Sequence, residues 1–136
     1  MENTAKAKKR RETVSPKKTI ETCRAVKEMK AKKAIEYLEK VIKKEEYIPY
    51  KRYNKKTPHR KKGTPGGYPK KSAEKVKETI QNALNNAENQ GLETENMKIV
   101  HSAAKKSGSV RKPRRNQRAR STNLTDIEIV IKQNKK

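Results

Sequence analysis

The sequence predicts an α+β fold, three helices beside a long β-hairpin, from three observations. Apolar residues recur at three- and four-residue spacings in three stretches between residues 16 and 90. Two further segments, residues 97–104 and 125–132, read as strands from their Ile- and Val-rich centres. About twenty residues rich in cations separate those strands, so pattern alone implies an extended hairpin or arm leaving a small body.

Each element has its own signal. Residues 1–12 are basic and without apolar period, and are expected to form an N-terminal arm, with Thr13 and Val14 ending a short strand. "SPKK" opens the first helix, Ser15 as N-cap and Pro16 at N1, where a missing N–H costs nothing. Ile20, Cys23 and Val26 form its apolar stripe, continuing to Met29. A break near Met29 and Lys30 starts the second helix, with Ala34, Ile35, Leu38, Val41 and Ile42 on one side. Lys and Glu alternate over its other face, which reads as a solvated surface.

Residues 47–71 lose all period. They hold four prolines, three glycines and four tyrosines, and from residue 51 on they carry no acid. A structureless loop of this length is uncommon in a small domain unless it functions. Tyrosines among cations suit stacking on bases or riboses while the cations meet phosphates; a bare linker is the alternative. The third helix follows from Ala73, Val76, Ile80, Ala83, Leu84 and Ala87, with Gly91 as its stop. In the last strand Ile127, Ile129 and Ile131 point one way, Glu128 and Val130 the other.

At 136 residues there is room for one domain. With 29% hydrophobic and 39% charged residues and no Phe or Trp, its core must be small. A net charge of +23 asks for a polyanion, nucleic acid first and an anionic membrane second. No apolar run reaches the roughly 18 residues that span a bilayer, and no signal-peptide pattern appears, so an intracellular, soluble protein is expected. Cys23 stands alone, excluding an internal disulfide, and reads as a small buried helix residue. With only His59 and His101 beside it there is no metal-ligand spacing. His101, on a strand, reads as packing or RNA-facing. No nucleophile is paired with a base. No enzyme activity, cofactor, metal or small-molecule substrate is expected.

Three cation runs lack acids. In "VRKPRRNQRAR", residues 110–120, six cations are mostly Arg, whose planar fork matches phosphate bidentately. No zinc-finger spacing, aromatic RNP motif or heptad is present, so a structured RNA read by shape is favoured over a short sequence. "SPKK" also resembles the repeats of DNA-binding linker-histone tails, which leaves a basic chromatin or DNA-packaging protein as the alternative; here it occurs once and opens a helix. An RNA-processing enzyme lacks any supporting constellation.

The order of these signals resembles a known family. "VSPKKTIETCRAVKEMKAKKAIEYLEKVI" is similar to the first two helices of the universal large-subunit ribosomal protein family twenty-two, numbered seventeen in eukaryotes. "YKRYN" and "GGYPKKSAEKVKETIQNALNNAENQGL" resemble the basic loop and third helix of its archaeal and eukaryotic branch. "ENMKIVHSAAKK", "RNQRAR" and "DIEIVI" resemble its hairpin strands and tip. The resemblance covers residues 13 to about 132 in order.

It implies three helices packed on a small three-stranded antiparallel sheet, with a long extended β-hairpin. It also implies one ribosomal-protein domain over residues 13–132, with the basic loop at 47–71, the hairpin at about 97–132 and a short basic tail at 133–136. The implied role is a structural constituent of the large subunit, cytoplasmic, with nucleolar assembly in a eukaryote. Partners would be large-subunit rRNA, neighbouring proteins including protein four, and the nascent polypeptide. Implied RNA contacts are Ser15, Lys17 and Lys18; Arg52, Tyr53 and Asn54; Lys70, Lys71 and Ser72; and Arg111, Lys112, Arg114, Arg115, Arg118 and Arg120. The cation run itself adds Arg60, Lys61 and Lys62. Residues Arg115, Asn116, Gln117, Arg118, Ala119 and Arg120 would line the exit tunnel. The chain departs from the family where Glu28 replaces a usual glycine, where Tyr68 stands in a tryptophan position, and in a return strand that comes early after the tip.

Overall fold

A computed structural model describes residues 3–61, 63–116 and 119–134. The elements are β1 (Thr4–Glu12), α1 (Pro16–Val26), α2 (Ala31–Ile42), β2 (Ile48–Pro49), β3 (Gly66–Gly67), α3 (Lys70–Asn89), β4 (Met97–Arg111) and β5 (Ser121–Gln133). The main sheet has the order β1-β5-β4, antiparallel throughout. Ile127, Ile129 and Ile131 of β5, with Met97 and Ile99 of β4 and Ala5 of β1, join one buried cluster. Val26, Leu38, Val41, Val76 and Ile80 bring the helices to it. The α+β class, the three helices and the three strands agree with expectation.

The N-terminal segment does not. Instead of an arm, Thr4–Glu12 is the edge strand β1, its register running from Thr4 opposite Lys132 to Lys9 opposite Ile127. Ala5 is buried and Ala7 packs against the core, small enough to pass beneath α3. Asn86 Nδ2 donates to the Lys6 carbonyl (2.9 Å), Lys9 pairs with Glu78, and Lys75 reaches Glu12 (3.6 Å). Polar ties to α3 therefore hold a strand whose cationic sequence has poor β-propensity. At the other end Gln133 closes β5 and donates its N–H to the Asn3 carbonyl (3.0 Å).

Ser15 caps α1, its side chain accepting from Lys18 N, with Pro16 in the first turn. The buried face is rotated from the predicted stripe: Thr19, Thr22, Cys23 and Val26 are buried, whereas Ile20 is only partly so. Thr19 and Thr22 fit because their hydroxyls donate back to the carbonyls of Ser15 and Lys18 (2.7 and 2.8 Å). At the end of α3, Gly91 adopts φ 75°, Leu92 N–H donates to Ala87 O and Gly91 N–H to Glu88 O, a Schellman stop.

The strands of the hairpin run further than their apolar centres. Pairing continues to Arg111 opposite Ser121, well beyond the predicted ends at 104 and 125. Register shifts fall between Ile99 and His101 and between Lys106 and Gly108. Backbone hydrogen bonds, not side-chain burial, sustain this outer section, which is why apolar period misses it.

Residues 47–71, expected to lack structure, contain the paired β2 and β3. Gly66 is required by close approach, since a Cβ there would lie 2.7 Å from the Ile48 backbone carbonyl.

Candidate nucleic-acid interface

The N-termini of α1 and α3 open onto one groove, lined by Ser15 and Lys18 from one side and Tyr68, Lys70, Lys71 and Ser72 from the other. The Thr19 and Ser72 hydroxyls are hydrogen-bonded at 3.1 Å, with Thr19 Oγ1 accepting because its own proton goes to the Ser15 carbonyl, and this fixes the two starts together. Neither helix carries an acid in its first turn. The positive ends of both dipoles thus reinforce the lysines, an arrangement suited to phosphate. The packing of α1 against α3, tied at Thr19 and Ser72, brings these two predicted clusters into one place.

The basic loop adjoins this groove. Lys17 lies over the Tyr53 ring at 5.6 Å and Arg52 over it at 5.2 Å, uniting the "PKK" and "YKRYN" motifs. Arg52 and Asn54 are exposed, and Tyr53 is half-buried. Arg60 lies over Tyr68 at 5.0 Å, and its Nε donates to the Gly66 carbonyl at 3.0 Å. Part of its fork therefore serves the loop. Tyr47 Oη and Thr64 Oγ1 lie 2.6 Å apart. The tyrosines thus pack within the loop or under its cations; none stands as a bare platform. Lys61 is exposed, and Lys62 lies outside the described residues.

The element sequence reasoning missed is Glu21, 1% exposed. Its carboxylate accepts the backbone N–H groups of Lys51, Arg52 and Tyr53 at 3.0, 2.9 and 3.1 Å. Burial pushes the carboxyl up, but those three N–H groups and the Arg24 charge more than offset it and hold it below the usual carboxylate range. The one available signal was an acid beside the apolar stripe of α1, preceding a loop with no acid of its own.

The hairpin tip stands apart from this surface. Arg111, Lys112, Arg114, Arg115, Asn116, Ala119 and Arg120 are exposed there, and Lys112 N–H donates to the Arg120 carbonyl at 2.7 Å. Gln117 and Arg118 lie outside the described residues. Away from both regions, His101 is exposed on β4, and Cys23 is buried, where loss of solvent pushes its thiol up to about 11. Among the described residues no group of three or more His, Cys, Asp or Glu could hold a metal ion, and no helix is long and apolar enough to cross a membrane.

This geometry joins a cationic body surface to a projecting hairpin, and residues 7–131, from β1 to β5, match the family described as ribosomal protein L22p/L17e. The chain belongs to that family. Among relatives, the large ribosomal subunit protein uL22 of Methanosphaera stadtmanae is 41% identical over 137 residues, covering 96% of this chain and 89% of the relative. Proteins of the same name from Methanopyrus kandleri and Ignicoccus hospitalis are each 39% identical, covering 97% of this chain and 88% and 89% of theirs. An L22p/L17e protein is a ribosomal component rather than an enzyme. Membership also removes the basis of the DNA-packaging alternative, since "SPKK" is here the capped start of α1.

Proposed function

We propose that the chain is a structural constituent of the large ribosomal subunit that binds large-subunit rRNA by shape and charge. The observation that carries this is the continuous cationic surface where two helix N-termini meet the loop containing Arg52 and Tyr53. Lysines and arginines there offset repulsion between converging phosphates, and the release of their counterions supplies much of the affinity. Fixed protein dipoles and a preformed loop let the surface match one RNA fold without reading base edges.

The hairpin extends the same chemistry away from the body. Its paired strands make a stiff carrier, and Arg111, Lys112, Arg114 and Arg115 would contact rRNA. In this reading the body sits near the polypeptide exit. Residues 115–120 help line the nascent-chain tunnel, beside a neighbouring protein of the family numbered four. The protein acts in cytoplasmic ribosomes, with nucleolar assembly in a eukaryotic cell.

Sedimentation of cell extract tests the function. The chain should travel with large subunits and stay with them after a high-salt wash; recovery mainly in free or chromatin fractions would refute it.

A further inference from the structure

We infer that Glu21 is a positioning residue for RNA binding, fixing the loop at Lys51–Tyr53 against α1 so that its cations face the RNA; this rests on the function proposed above. The chain has 15 acids against 38 Lys and Arg. An acid beside an RNA-binding surface weakens phosphate binding by charge alone, so Glu21 must act otherwise. Its two oxygens accept three successive backbone N–H groups: Oε2 from Lys51, Oε1 from Arg52 and Tyr53. Successive N–H groups converging in this way form an anion-binding concavity, and here the protein's own carboxylate fills it.

The choice of donors matters. Neutral amides satisfy the carboxylate, so the exposed Lys51 and Arg52 side chains are not spent in ion pairs with it. Lys17, one helical turn before Glu21, lies over the Tyr53 ring from the same helix. One turn of α1 thus holds the loop twice, Glu21 by its backbone and Lys17 by its ring. The loop's RNA-facing groups are thereby set in register with the groove at the start of α1. A loop released from this hold would spend only part of its time in the binding conformation, and apparent affinity falls by that fraction.

The test uses the full chain and purified large-subunit rRNA at fixed salt. Glu21→Gln keeps the volume but turns an amide NH2 toward the loop's donors. It should weaken binding about tenfold, and speed hydrogen exchange at Lys51, Arg52 and Tyr53 while β4 and β5 stay protected. In a background with Lys51, Arg52 and Tyr53 all changed to Ala it should add no further loss. Wild-type affinity of Glu21→Gln, or a loss fully additive with the loop changes, would overturn the inference. If Glu21→Gln does not fold, Lys51→Pro removes one donor to Glu21 and Lys51→Ala controls for the lost cation; the proline variant should bind more weakly than the alanine one, and equal affinity of the two overturns the inference. Absence of rRNA binding by the wild-type chain would instead defeat the underlying function.

Discussion

Glu28 donates its backbone N–H to the carbonyl of Ile99 at 3.0 Å while holding φ at 69°. Ile99 returns its own N–H to the Met29 carbonyl at 2.9 Å, so the turn between α1 and α2 is clamped to β4. The family resemblance places a glycine at this position, and the positive φ is the physical reason. A side chain there costs about 1–2 kcal/mol. Glu28→Gly should therefore stabilise the protein by about 1 kcal/mol, after the unfolded-state entropy of glycine is counted. A thermal melt checks this, and a lowered midpoint would contradict the strained-turn account.

The core depends on a few medium-sized side chains, since no Phe or Trp contributes. Leu38 and Ile80 are fully buried between the helices and the sheet. Replacing either with Ala should cost about 2–5 kcal/mol through loss of burial and the cavity left behind. Denaturant unfolding measures this directly.

Cys23 offers a chemical probe of the same region. Burial raises its thiol to about 11, so the fold favours the neutral form. Its contribution to stability is complete below the unfolded thiol value of 9.0 and fades as pH rises toward 11. Since the thiolate is the reactive species, alkylation at pH 8 should be slow in the folded protein and fast in denaturant. Equal rates would place Cys23 at the surface.

At the hairpin tip, Arg111, Arg114 and Arg115 are exposed and remote from the core. Changing all three to Ala should alter stability by no more than about 0.5 kcal/mol for each, because surface changes away from special features cost little. Binding to rRNA should weaken, and the slope of log affinity against log salt should fall by about 1 for each phosphate left without its cation. An unchanged slope would remove the tip from the interface.

Much of this was legible in the sequence because period and capping are local. The α2 and α3 stripes, the Ser15 cap, the Gly91 stop and the alternation of Ile127, Ile129 and Ile131 all express one element's own geometry. What escaped depends on distant partners. β1 is a strand because α3 and β5 hold it, with Ala5 and Ala7 beneath the helix. Ile20 yields its place to Thr19 because intrahelical hydrogen bonds satisfy the hydroxyl. The outer hairpin pairs through its backbone, which leaves no side-chain period to read. The site divided similarly: its cations were visible as runs, but their convergence with Tyr53 and the Glu21 anchor exists only in three dimensions.

The central claim is that the groove-and-loop surface and the hairpin tip both lie on large-subunit rRNA. Photocrosslinkers placed at Asn54 and Arg115, in salt-washed large subunits, test it most directly. The account predicts crosslinks from both positions to large-subunit rRNA, at separate sites. Crosslinks from both to protein alone, or absence of the chain from the washed subunits, would contradict it.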